Sequence, residues 1–98
     1  MDISKSREGN LLTVTLAGEL NASTTSELEG ALRGDVHEDD TVVFDIADLI
    51  YITSAGLRIF ATCDKATGGR RAVVLRGASE EVREVLAVTR FDTILVVE

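Results

Sequence analysis

Residues Thr41 to Asp45 read Thr-Val-Val-Phe-Asp, an uninterrupted apolar run closed by charge. A half-exposed strand alternates apolar and polar side chains, so an unbroken run of this length belongs at the centre of a sheet covered on both faces. Such a strand needs neighbours on both edges and helices over it, which selects an α/β arrangement. The flanking sequence supplies those parts. Ile3 to Arg7 and Leu11 to Ala17 read as strands joined across Glu8-Gly9-Asn10, where glycine takes the positive φ of a tight hairpin. In the second of them Leu12, Val14 and Leu16 alternate with Thr13 and Thr15, the pattern of a strand with one buried face.

Helices separate the later strands. Ser23-Thr24-Thr25-Ser26 offers caps, and Thr24 with Glu27 has capping-box spacing, which predicts a short helix burying Leu28, Ala31 and Leu32 and stopping near Gly34. A second helix runs from the Thr53-Ser54-Ala55-Gly56-Leu57 segment to about Thr67 and stops at Gly68-Gly69. Its Ile59, Cys63 and Ala66 share one face with Phe60 beside it, and Arg58, Thr62 and Lys65 line the other. Arg71 to Arg76 encloses Ala72-Val73-Val74-Leu75, a further covered strand. Ser79 with Glu80 and Glu81 opens a third helix that turns Val82, Val85 and Leu86 inward, and Ile94 to Val97 supplies the last strand. This order predicts helices packed on a mixed sheet, with the later strands parallel.

Charge narrows the function. The chain of 98 residues has 10 Lys plus Arg against 17 Asp plus Glu, a formal charge of −7, with Tyr51 and three Phe its only aromatics. Nucleic-acid binding requires clustered cations and stacking groups, so it is excluded on both counts. Residues 1–50 hold 3 basic and 11 acidic side chains, a balance of −8, whereas residues 51–98 hold 7 and 6, a balance of +1. The densest acidic run, Glu38-Asp39-Asp40, reads as a solvated loop, with steering of a partner as the alternative. No stretch approaches the ~20 apolar residues of a membrane helix, and Met1-Asp2-Ile3-Ser4-Lys5 lacks the basic-then-apolar pattern of a signal peptide, so the expectation is a cytoplasmic protein without membrane insertion. The single cysteine, Cys63, reads as core packing and fits a reducing compartment.

Catalytic chemistry finds no purchase. The sole histidine, His37, sits among acids that build no triad, and Ser54 lacks the glycines of a nucleophile elbow, having Ile52 and Gly56 two residues either side. Cys63 and His37 are isolated as metal ligands, and Gly68-Gly69 follows a helix rather than a strand, so neither a metal nor a phosphate-bound cofactor is expected. There remains Thr53-Ser54-Ala55-Gly56. A serine at the start of an amphipathic helix, entered from a strand, either caps that helix or presents a hydroxyl for phosphorylation, and the two roles can coexist.

At these residues the chain resembles the anti-sigma-factor antagonists, whose domain is named STAS. The family pattern is a hydrophobic strand, an Asp-Leu pair, and a segment ending in serine, a small residue, Gly and Leu. Here it reads Val42-Val43-Phe44-Asp45, Asp48-Leu49 and Ile52-Thr53-Ser54-Ala55-Gly56-Leu57, with Leu16-Ala17-Gly18-Glu19-Leu20-Asn21 similar to the family's second strand and turn. The resemblance spans essentially the whole chain. It implies one STAS-type domain over residues 1–98, a mixed sheet of four to five strands with three or four helices, and a kinase substrate rather than an enzyme. In the family, the unphosphorylated antagonist binds an anti-sigma factor that is also a serine kinase and so releases a sigma factor. Phosphorylation of the serine matching Ser54 breaks the complex, and a serine phosphatase restores it.

Three positions depart from the usual pattern: Thr53 stands where many members have Asp or Ser, Ala55 where Ser is frequent, and Asn21 where Asp is frequent. Thr53 is thus a second acceptor. The expected partner-facing set is Thr53, Ser54, Ala55, Gly56, Arg58, Thr62, Lys65 and Asn21, the polar helix residues being either a docking face or plain solvated surface. The reading from a different class is a constitutive interaction subunit of a lipid-transport ATPase or a stress-signalling scaffold, in which Ser54 only caps.

Overall fold

The computed structural model describes residues 1–98. Strand β1 (Asp2–Glu8) turns at Gly9, whose φ is +62°, into β2 (Leu11–Leu20), and the two pair antiparallel from Asp2 opposite Ala17 to Glu8 opposite Leu11. Helix α1 (Ala22–Leu32) leads to β3 (Thr41–Ile52), then α2 (Ser54–Ala66), β4 (Val73–Arg76), α3 (Glu80–Val88), a 3-10 turn (Phe91–Thr93) and β5 (Val96–Val97). The sheet order is β1-β2-β3-β4-β5, with every pair after the first parallel, so the Thr-Val-Val-Phe-Asp run does occupy the central strand. The fold is the expected α/β one, with five strands in a mixed sheet and three helices. No helix is long and apolar enough to cross a membrane.

One cluster of 20 buried residues forms the core. Leu12, Val14 and Leu16 of β2 and Val42, Phe44 and Ile46 of β3 meet Leu28 and Leu32 of α1, Leu57, Ile59, Phe60 and Cys63 of α2, and Val82 and Leu86 of α3. Phe44 and Phe60 pack with ring centroids 4.7 Å apart in a tilted arrangement, joining the central strand to α2. On the other sheet face the register aligns Ser6, Thr13, Val43, Val74 and Val96 in one row. There Val43 is buried but Val74 only half-buried, so β4 is covered on one face rather than two.

Several local expectations shift. The box that starts α1 is built on Asn21, not on Thr24 with Glu27: Asn21 Oδ1 accepts from the N–H groups of Ser23 and Thr24 at 3.0 and 3.1 Å, while Thr24 Oγ1 accepts from the Asn21 N–H at 2.9 Å. Asparagine's short carbonyl arm reaches the first-turn donors, and Thr24 then sits at the third helical position. Ala31 is half-buried and Ala66 is exposed, so neither belongs to the fully buried face. Arg71 adopts φ +59° ahead of β4, and the Phe91–Thr93 turn shortens the last strand to Val96–Val97. Ser79 caps α3 as expected, its hydroxyl accepting from the Val82 N–H at 3.2 Å.

The acidic loop is not wholly solvated. Asp40 is 1% exposed, and its carboxylate accepts from both terminal nitrogens of Arg7 on β1 at 2.9 and 2.8 Å and from the His37 N–H at 2.8 Å. The Arg7 hydrogen bonds hold the Asp40 carboxyl well below the usual carboxylate range, against the opposing cost of burial. A folded-state pKa below the unfolded value makes this pair a source of stability that is complete above about pH 4–5 and is lost as pH falls toward the depressed value. The melting temperatures of the parent and Arg7→Gln should therefore differ most at neutral pH and converge as pH drops toward 2; a gap that does not narrow would show that Asp40 is not the titrating partner.

Candidate functional site

The C-terminal ends of β2 and β3 lie side by side, with Leu20 opposite Ile52. Each strand passes straight into a helix, so the first turns of α1 and α2 emerge together at this edge. Leu20 fixes the junction: its carbonyl accepts from the Thr53 N–H at 3.0 Å and from the Thr53 hydroxyl at 3.2 Å. Thr53 is the N-cap residue of α2, yet its side chain makes no capping bond because the hydroxyl is spent on Leu20. The helix opens with the Leu57 N–H donating to the Thr53 carbonyl at 3.1 Å, which leaves the preceding amides of the first turn without intrahelical acceptors.

Ser54 is the first residue of α2. It is exposed, and its hydroxyl makes no hydrogen bond to any protein group. The capping role expected of it is therefore corrected: a cap acceptor must precede the helix, and Ser54 already lies inside it. What remains is a free hydroxyl beside an uncapped, electropositive helix end.

Gly56 explains how α2 gets so close to the sheet. A Cβ on this buried glycine would stand 2.6 and 2.7 Å from Leu20 Cδ2 and Cγ and 3.2 Å from Ile52 Cγ1. Only a hydrogen at that position lets the first turn settle against the strand ends. Ala55 is half-buried between the exposed Ser54 and buried Gly56. Asn21 follows Leu20 directly and so stands at the same edge, but its amide oxygen is committed to the α1 cap and also accepts from the Ser23 hydroxyl at 3.0 Å.

Arg58, Thr62 and Lys65 are exposed along α2. Ser54, Arg58 and Thr62 recur at four-residue intervals and form one ridge. The Thr62 hydroxyl donates to the Arg58 carbonyl at 2.8 Å, while the charged ends of Arg58 and Lys65 have no ion-pair partner. Beside this ridge, α1 and α2 enclose a groove of about 460 Å³ floored by Leu32, Val36, Ile59, Cys63 and Ala66. Burial pushes the Cys63 thiol up to about 11, the opposite of what a nucleophile needs. His37 precedes β3 at the end of the strand remote from Ser54, so the one imidazole and this hydroxyl are not brought together. No three His, Cys, Asp or Glu side chains converge as a metal cage.

Two residues at this edge escaped the sequence reading. Ile50 is 72% and Tyr51 54% exposed, whereas Leu49 and Ile52 are buried. The register passes from Gly18 opposite Leu49 to Glu19 opposite Tyr51, leaving Ile50 without a partner. This bulge turns two consecutive side chains outward. Alternation, the signal that reports outward positions, is silent in the all-apolar run Leu49-Ile50-Tyr51-Ile52.

Comparison with known proteins identifies the family and the fold. The family model described as Mlab, STAS domain, matches residues 3–98. Among solved structures, an anti-sigma factor antagonist from Mycobacterium paratuberculosis superposes with a TM-score of 0.84 at 20% identity, covering 98% of this chain and 83% of its own. The anti-sigma factor antagonist SpoIIAA in its unphosphorylated form gives 0.81 at 13% identity over 99% and 88%. A putative anti-sigma factor antagonist from Thermotoga maritima gives 0.80 at 18% identity over 97% and 84%. No curated protein matches in sequence.

Proposed function

Because the chain belongs to the STAS domain family, we propose that it is an anti-sigma-factor antagonist, a binding protein rather than an enzyme, switched at Ser54. The observation that carries this reading is the exposed, unbonded Ser54 hydroxyl on the first turn of an uncapped helix. Unphosphorylated, the edge formed by Thr53, Ser54, Ala55 and Gly56 with the ridge Arg58, Thr62 and Lys65 docks on an anti-sigma factor of the serine-kinase type, which then gives up its sigma factor. Transfer of a phosphoryl group to Ser54 adds about −1.5 to −2 of charge at the electropositive end of α2, so the fold accommodates the modification while the positive charge of Arg58 and Lys65 on the docking surface is cancelled. A serine phosphatase resets the surface.

The solved SpoIIAA structures include a phosphorylated form, which superposes on this chain with a TM-score of 0.73 at 12% identity. That likeness supports a fold able to carry the modification. Thr53 is the poorer acceptor of the adjacent pair, because it is half-buried and its hydroxyl already donates to Leu20.

The test is incubation with the kinase-type anti-sigma factor and ATP, followed by mapping of phosphate by mass spectrometry. Phosphate on Ser54 and none on Thr53 is the expected result. Absence from both, with a membrane-transporter ATPase recovered as the partner, would return the chain to the reading of a constitutive interaction subunit.

A further inference from the structure

Beyond Asp45, β3 outruns β4: the β3–β4 pairing ends at Asp45 opposite Arg76, while the β2–β3 pairing continues to Ile52. The chain leaving β4 still touches Ala47, since a Cβ on Gly77 would meet the Ala47 Cβ at 3.0 Å. From Asp48 onward, β3 has a strand on one side only. It is here that the bulge exposes Ile50 and Tyr51, two of the five large apolar side chains left in water, separated from Thr53 and Ser54 only by the buried Ile52. Adjacent exposed aliphatic and aromatic groups are costly to a soluble surface and are the composition of an interface anchor.

The charges around them select the occupant. Glu19, the cross-strand partner of Tyr51, and Asp48 are both exposed, and neither takes part in an ion pair. A second copy of this chain docked through the same patch would bring two more of these carboxylates into one interface, between two chains of net charge −7. An anionic lipid surface is repelled for the same reason. We infer that Ile50 and Tyr51 are the apolar anchor of a heterologous protein interface, and that the partner offers an apolar pocket rimmed by Lys or Arg. This inference rests on the reading of Ser54 as a switch in one respect only: the anchor adjoins Ser54, so a phosphate there lies at the border of the same interface. Tyr51 supplies broad contact area with few rotatable bonds.

The test places benzoylphenylalanine at position 51 of the full chain in its native cell, with the same photoreactive group at exposed Glu84 of α3 as control. Ultraviolet adducts at position 51 should exceed those at position 84 by about tenfold or more, and the cross-linked peptide of another protein should be apolar with flanking Lys or Arg. Ile50→Ser in the same chain should cut the adduct yield by a similar factor while the melting temperature stays unchanged, as both side chains lie outside the core.

Adducts to a second copy, to lipid, or to an acidic or purely polar peptide would overturn the inference, as would a yield no higher than the control. Adding Ser54→Asp separates the two readings. Adducts that persist in that variant leave the anchor standing and remove the switch, whereas kinase-dependent phosphate on Ser54 without adducts at position 51 leaves the switch and removes the anchor.

Discussion

Ser54→Asp is expected to weaken binding of the kinase-type anti-sigma factor on the order of 100-fold, with a melting temperature at or slightly above that of the parent. The two halves of this expectation have different causes. On the stability side, Ser54 loses nothing when replaced, because its hydroxyl has no partner and its side chain is exposed. A carboxylate on the first turn of α2 faces amides that no side chain satisfies, a placement worth about 0.3–1 kcal/mol at a helix N-terminus. On the binding side, the cations of the partner's rim are engaged by Glu19 and Asp48, so a further charge forced into the docked surface is desolvated without a counter-ion of its own, at a cost of roughly 2–5 kcal/mol. Titration calorimetry against the anti-sigma factor and a thermal melt measure the two halves. Ser54→Ala should bind as the parent does and resist phosphorylation. A fall of the melting temperature by ~10 °C in Ser54→Asp would mean instead that the first turn of α2 has no room for the group and that the position is structural.

Gly56→Ala is expected to destabilise the protein although alanine is the better helix former. Replacing glycine by alanine inside a helix gains about 0.8–1 kcal/mol when nothing obstructs the methyl group. At position 56 the methyl would meet Leu20 Cδ2 at 2.6 Å and Cγ at 2.7 Å, and Leu20 is itself fully buried, so it must shift within the core to make room. Overpacking of this kind costs roughly 1–3 kcal/mol, so the balance is unfavourable by up to about 2 kcal/mol. For a domain of this size that lowers the melting temperature by up to about 8–16 °C.

The contrast is Gly30→Ala. Gly30 lies in α1 with nothing within 4 Å of the added Cβ, and this change should raise stability by up to about 1 kcal/mol. Opposite signs for the same substitution in two helices would isolate the packing term. Gly56→Ala should also slow phosphorylation of Ser54, because relief of the clash lifts the first turn of α2 away from Leu20 and Ile52. Equal melting temperatures for both variants would refute the close approach.

Much of this fold is legible before any coordinate. The hairpin at Gly9, the central Val42-Val43-Phe44, the cap at Ser79 and the inward Val82 and Leu86 are each set by residues within a few positions of one another. The site is legible as a location for the same reason: a strand, Thr53-Ser54-Ala55-Gly56, and an amphipathic helix follow in order. Its details are not. Whether Ser54 or Thr53 carries the free hydroxyl depends on the Leu20 carbonyl, which is 33 residues from Thr53 in the chain. The acidic loop reads as solvated in the sequence because Arg7, the group that draws Asp40 inside, is likewise 33 residues away.

The amino-acid sequence by itself determined the elements, their order and the place of the Thr53-Ser54 pair at a strand-to-helix junction, because periodicity, caps and turns are short-range interactions that a window of about ten residues contains. Tertiary structure alone decided which hydroxyl is spent and which is free, why residue 56 must be glycine, and that Ile50 and Tyr51 face water. Each of those outcomes is set where β2 and β3 end together, by atoms that become neighbours only when the parallel pairing brings Leu20 against Ile52 and Thr53.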